Sequence, residues 1–284
     1  MDKVSLYVPC FNVEKYLDQC LEAVFKQSRP PDEVIVVDDG SSDNTVQIAS
    51  RYPVRIERHD KNRGLAAARN TGIRASSHDL VASLDADCVA DSRWLETMLC
   101  HMNGDSAAGI GGKLLERNRT RLPDRWRASH MQQHWGDEPV IDPHFLCGNN
   151  TLFRKTVLLE AGLYNERLRT NFEDVAMSES IRRLGYSLFY QPTAVVEHLR
   201  TDTIASVVRT NWKWRFYGYR RDITLRNTLA GILGHVGVGL RFLIVDCFKR
   251  DLSCSVLSCV ATGYAILADL QYLARHSGER RAHE

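Results

Sequence analysis

The chain has 284 residues, 44% of them apolar and 25% charged, with 37 Lys and Arg against 35 Asp and Glu. This ordinary globular composition excludes a disordered chain, a collagen-like repeat and a strongly basic nucleic-acid binder, so no nucleic-acid partner is expected. The near balance hides a split: residues 1–200 carry 25 basic and 28 acidic side chains, and residues 201–284 carry 12 and 7.

The first part alternates short β-branched runs with helical patterns. Residues 4–9 read as a buried strand, and 13–27 place Tyr16, Leu17, Cys20, Leu21, Val24 and Phe25 on one helical stripe. Residues 33–37 contain four consecutive β-branched residues, as expected of a parallel strand covered on both faces. The turn from Asp38 to Asp43 opens a helix of about two turns. A strand at 54–57, an Ala-rich helix at 64–76 and a strand at 80–84 follow. This order predicts an α/β fold, a mostly parallel sheet sandwiched by helices, with ligands bound beyond the carboxyl ends of the strands. Residues 105–150 show little order; Gly109, Gly111 and Gly112 interrupt an apolar run, and the polar stretch 117–138, with Trp126, His130, His134 and Trp135, reads as a long loop or a helix over the site. A strand at 151–153, helices at 155–161 and 173–184, and strands at 187–190 and 193–197 complete a domain of residues 1–205. Its halves are 1–104 and 105–205, with a helical extension at 206–284.

Eight cysteines with no C-x-x-C pair favour reduced thiols and a cytoplasmic compartment. The first residues show no basic segment followed by an apolar stretch, so no secretory signal is expected.

Two acidic clusters directly follow apolar strands: Asp38-Asp39 after Val37, and Asp85-Ala86-Asp87 after Leu84. Both strands deliver carboxylates to one edge of a parallel sheet, and an extended Asp85-Ala86-Asp87 would point both acids the same way. Such hard oxygen donors suit Mg²⁺ or Mn²⁺. Turn chemistry and helix capping are the plainer explanations of each cluster taken alone.

Five segments in order, VSLYVPCFN, VIVVDDGSSDNT, NRGLAAARNTGI, LDADC, and Gly148-Asn149-Asn150 followed by NFED and RRLGY, resemble the family 2 glycosyltransferases of GT-A fold over residues 3–200. The resemblance implies an inverting transfer from a nucleoside-diphosphate sugar, most simply a UDP-sugar, to a hydroxyl of a glycan or lipid-linked acceptor. It implies that Pro9 and Asp39 hold the nucleoside and that Gly64 and Arg69 line the nucleotide side. Asp85 would reach the ribose or the metal, Asp87 and His198 would bind Mn²⁺ or Mg²⁺, and Asp174 would be the general base, with Glu173 beside it in contact with the substrate. Gly148, Asn149 and Asn150 read either as a turn or as a backbone approach to the donor sugar. The start of a helix at Asp174 favours its ionised form. Two other readings stay open: an aspartyl-phosphate-type phosphohydrolase using Asp85 and Asp87, and a sugar-nucleotide-binding protein without turnover.

From Arg209 to Arg226, six basic residues interleave with Trp212, Trp214, Phe216, Tyr217 and Tyr219. They suit a headgroup-level belt or an acceptor site in which Trp212 and Trp214 stack on sugar rings. Residues 227–240 and 252–268 are apolar but short of an ordinary span. A transmembrane hairpin, helices at the membrane surface, and a soluble subdomain or contact between copies are the three readings. Surface helices within 209–273 at the cytoplasmic membrane face are the working expectation.

Overall fold

The computed structural model describes residues 2–102, 107–168, 171–219 and 224–280. They form two compact units, residues 1–117 with 133–199 and residues 118–132 with 200–284. Residues 118–132, expected in the acceptor half of the first domain, belong instead with the C-terminal part.

The first unit is built on one sheet. Its strands are β1 (Val4–Cys10), β2 (Glu33–Asp38), β3 (Arg55–Arg58), β4 (Leu80–Leu84), β5 (Cys88–Ala90), β6 (Ala107–Glu116), β7 (Val140–Ile141), β8 (Asn150–Arg154) and β9 (Ser187–His198). The spatial order is β3-β2-β1-β4-β8-β6-β9-β5, with β7 beside β9. Strands β3, β2, β1 and β4 run parallel, as the alternating pattern predicts, while β8 lies antiparallel to both β4 and β6. The parallel β6–β9 pair carries a shift between Gly112 and Lys113, so the two short strands expected at 187–197 are one strand.

Alternation along β1 feeds two cores. Leu6 and Val8 pack with Leu17, Leu21 and Val24 of α1 (Leu17–Phe25) and with Trp94 and Met98 of α4 (Trp94–His101). Tyr7 faces the other way, onto Ala68 and Ile73 of α3 (Leu65–Ala75), with Val157 of α6 (Lys155–Glu160) and Ile181 of α7 (Glu173–Arg183). A short α2 (Thr45–Ala49) follows β2. The stretch at 105–150 is more regular than expected, containing the ten-residue β6.

The second unit contains α5 (Leu122–His130), α8 (Ile204–Tyr219), α9 (Leu225–Phe248) and α10 (Leu252–Arg280). Trp126, Val207, Phe242, Leu257 and Ala261 form its core. Residues 220–223 of the basic, aromatic run, and the side chains of Tyr217 and Tyr219, lie outside the described residues.

Candidate active site

Strands β1, β2 and β4 end at the same sheet edge, and the loops there are tied together by side chains. Asn12 donates its N–H to Ser41 Oγ (2.9 Å) and accepts from Ser42 N (2.9 Å), while Val13 N donates to Thr45 Oγ1 (3.0 Å). Asp39, expected on the nucleoside, organises the loop after β3. Its Oδ1 lies 2.6 Å from His59 Nδ1 and accepts from Arg63 N (2.8 Å), and its Oδ2 accepts from Gly64 N (2.8 Å). Gly64 holds φ +98°, which favours glycine, and so lets its N–H reach that carboxylate. Pro9 lies buried in β1, beyond Tyr7, the last residue of β1 that pairs with β4.

Asp85, Ala86 and Asp87 do not continue β4. Cys88 N donates to Asp85 O (3.0 Å), making a tight turn, so the expectation of an extended segment with parallel carboxylates is corrected. The two acids diverge to different partners. Asp85 Oδ1 accepts from Arg69 Nη2 (3.0 Å), and Asp87 Oδ2 lies 3.1 Å from His198 Nε2. Cys88 is fully buried, in keeping with a packing role.

Arg69 is the hub. Expected to line the nucleotide side, it is instead buried at 2% exposure, with Nη1 donating to Ser83 Oγ (2.8 Å) and to Gly148 O. Its guanidinium lies 5.8 Å from the Tyr164 ring centroid, and its Nε lies 3.7 Å from Glu173 Oε1. One cation thereby links the acidic turn, the Gly148 loop and the Glu173-Asp174 pair. A Cβ at Gly148 would stand 3.0 Å from the Arg69 Cζ, so the glycine makes room for the guanidinium.

Glu173 points inward and is buried, with Oε2 lacking a hydrogen-bond partner; the substrate contact expected of it is not available to a side chain so placed. Burial, reinforced by the Asp174 charge, pushes its carboxyl up to about 7. Asp174 is partly exposed, accepting from Gly148 N (3.2 Å) and Val175 N (2.8 Å). Burial raises its carboxyl despite those bonds and the Arg69 charge, so the helix start does not dominate as expected.

Asn150 is spent inside the fold. Its Oδ1 accepts from Trp94 Nε1 (2.6 Å) and its Nδ2 donates to Lys113 O (3.2 Å) and Ala194 O (3.3 Å), which corrects its assignment to the donor sugar. Asn149 donates to Gln133 Oε1 (2.7 Å) and leaves its own buried Oδ1 without a partner.

Among the described residues, no three His, Cys, Asp or Glu side chains gather around one point as a ready-made metal centre. The donor set nevertheless fits a hard cation that takes its remaining ligands from a diphosphate. His198 Nδ1 lies 2.9 Å from Glu116 Oε2; with Nδ1–H donating to the Glu116 carboxylate, Nε2 beside Asp87 is the nitrogen left for an ion. Burial opposes a charge on His198, but Asp87 and Glu116 outweigh it and hold the imidazole up, to about 9. The sequence reading missed Glu116 because it missed β6, whose last residue this is. It also missed His59, whose only signal was its place just after a strand.

Trp212 and Trp214 are half-buried in the second unit. Trp212 Nε1 donates to Asp269 Oδ1 (2.9 Å), and Arg127 lies 6.0 Å from the Trp214 ring centroid, so each ring is already engaged within that unit.

The family model for "Glycosyl transferase family 2" matches residues 5–162. The poly-beta-1,6-N-acetyl-D-glucosamine synthase of Staphylococcus aureus is 25% identical over 240 residues, covering 80% of this chain and 57% of its own length. The chain thus spans less than two-thirds of that relative. Among solved structures, the mannosyltransferase PcManGT from Pyrobaculum calidifontis, in complex with GDP-Man and Mn²⁺, aligns with a TM-score of 0.65 at 17% identity, over 94% of this chain and 88% of that one. S. aureus TarS 1–349 aligns with a TM-score of 0.59 at 18% identity, over 92% and 91%. At these identities the two structures share the fold. The family match takes in the parallel strands β1 to β4, all but the first residue of β1, and more than half of the sequence, so the chain belongs to glycosyl transferase family 2.

Proposed function

We propose that this chain transfers a sugar, with inversion, from a nucleoside-diphosphate sugar to a hydroxyl of a glycan or lipid-linked acceptor, with Asp174 as the general base. The observation that carries the reading is the buried Arg69, which ties Asp85 of the acidic turn to the Glu173-Asp174 pair. Of that pair, Asp174 is the one open to an acceptor. Asp174 takes the acceptor hydroxyl proton as the acceptor oxygen bonds to the anomeric carbon and the bond from that carbon to the diphosphate oxygen breaks. Gly148 N and Val175 N orient the carboxylate for that proton. Asp39 keeps the nucleoside-side loop in shape by holding His59, Arg63 and Gly64. Asp87 and His198 would hold a divalent cation, Mn²⁺ being the better match to an imidazole; when bound, it neutralises charge on the leaving diphosphate. The GDP-Man and Mn²⁺ complex of PcManGT supports this class of donor and metal, and UDP is our choice of nucleotide. Eight free thiols support a cytoplasmic compartment, and two helices long and apolar enough to cross a membrane support work beside one.

The test is Asp174→Asn, with transfer followed by labelled donor and binding by calorimetry. Transfer should fall by about 10²-fold or more while donor affinity stays unchanged. Undiminished transfer would remove Asp174 from the reaction.

A further inference from the structure

Helices α9 and α10 each have two unlike faces. The inward face of α9 presents Thr228, His235, Phe242 and Asp246, and that of α10 presents Leu257, Ser258, Ala261 and Asp269, all buried. The three acids between residues 225 and 275 are all engaged within the unit. Asp246 accepts from Ser258 Oγ (2.6 Å) and lies 2.7 Å from His130 Nε2. Asp269 lies 3.1 Å from His235 Nε2, and Asp251 pairs with Arg125 (2.9 Å).

The outward face is apolar. On α9, Leu229, Leu233, Val236, Leu240 and Ile244 recur at spacings of four, three, four and four, all exposed; on α10, Val256, Val260, Leu267 and Leu270 recur at four, seven and three, also exposed. Leu233 is 73% exposed and Val256 66%, so this is a continuous stripe and not scattered leucines. The exposed charges along the two helices, from 225 to 275, are Arg226, Arg241, Lys249, Arg250 and Arg275, all of one sign.

We propose that the outward face of α9 and α10 lies flat in the headgroup–acyl boundary of an anionic lipid bilayer, parallel to the membrane plane and not across it. Length does not decide the matter, because both helices are long and apolar enough to span. Their inward faces do. Those faces hold two Asp–His pairs, and α8 and α5 pack on α10 while bearing Arg209, Lys213 and Arg215, and Asp124, Arg125 and Arg127. A spanning hairpin would carry these charges to hydrocarbon depth, a costly place for them. Lying flat buries only the apolar stripe, leaves α5 and α8 on the water side, and sets the five basic residues at headgroup level. The one-signed charge selects an anionic surface over a second copy of the chain, whose matching face would repel it.

Flotation of the full chain with vesicles tests the surface, and depth measurement tests the orientation. The chain should float with vesicles of equal phosphatidylglycerol and phosphatidylcholine and stay behind with phosphatidylcholine alone. Replacing Arg226 and Arg241 by Gln should weaken partition about fivefold for each charge removed. Leu233→Ser with Val256→Ser, both exposed and so tolerated by the fold, should abolish it, with circular dichroism unchanged. Bimane attached singly at 229, 233, 236, 240 and 244, with the exposed Cys100, Cys247 and Cys259 changed to Ser, should be quenched to one shallow depth throughout. A depth maximum at mid-helix would overturn the in-plane arrangement in favour of a span. Failure to float, with a dimer that Leu233→Ser dissociates, would overturn the lipid assignment in favour of a second copy.

Discussion

A guanidinium as deeply buried as that of Arg69 is tolerable only if its charge is paired and most of its donors are met. Ser83 and Gly148 meet Nη1 and Asp85 meets Nη2, while Nε has no hydrogen bond and stands 3.7 Å from Glu173, at the distance of an ion pair. Burial disfavours the cation, yet Asp85 and the surrounding anionic groups leave it more firmly charged than an ordinary arginine. Arg69→Met would keep the stem and strip the charge, leaving Asp85 and Glu173 without a cation; the expected loss in urea unfolding is about 3–5 kcal/mol. Arg69→Lys should fall in between, since an ammonium keeps the charge but not the planar fork. A Met variant as stable as the parent would show that the hub is not what holds the three loops. The motif around Arg69 was legible in the sequence, but its task was not. Its partners lie 14, 16 and 79 residues away, and no local pattern encodes such a meeting. The same holds for Asn150, whose motif suggested a ligand contact while its side chain was answering Trp94.

At the scale of elements, legibility followed the period of the apolar residues. Strands β1, β2 and β4 and helices α3 and α7 were readable, because a buried parallel strand is a run of branched residues and a covered helix shows its stripe. Strand β6 was not, because glycine is a poor strand former and three glycines fall in its sequence. Packing explains them. A Cβ on Gly109 would stand 2.1 Å from the Phe153 ring, and one on Gly112 would stand 2.0 Å from the carbonyl oxygen of Ala194. At Gly112 the obstacle is backbone at the shift in the β6–β9 ladder, which cannot rotate aside as a ring can. Gly112→Ala should therefore cost about 1–3 kcal/mol, as overpacking does. It should also disturb the register that sets Glu116 opposite His198, seen as a lower Tm together with weaker Mn²⁺-supported donor binding. An alanine variant with unchanged Tm would mean that β9 moves away at no cost.

For the whole molecule, the decisive feature is that the second unit takes residues 118–132 out of the middle of the first. The sequence could not announce this, since α5 is polar enough to pass for a surface loop, and Trp126 within it and Met131 just after it find their partners far along the chain. Those partners are Val207, Phe242, Cys254, Leu257 and Ala261, every one beyond Leu199. Trp126 also donates its Nε1 to Ser258 Oγ (2.8 Å), and Arg127 pairs with Asp202 (3.1 Å) in the interior. A cut at the apparent domain boundary near residue 205 would thus leave α5 behind with a large apolar ring and a buried-type arginine facing water. The chain truncated after Leu199 should aggregate, measured by light scattering at increasing concentration. Changing Trp126 and Met131 to Gln in that shortened chain should restore a monomer that still binds the donor nucleotide. If the unaltered truncation is already monomeric, α5 does not depend on the C-terminal helices for cover, and the core around Trp126 is not what keeps the second unit together.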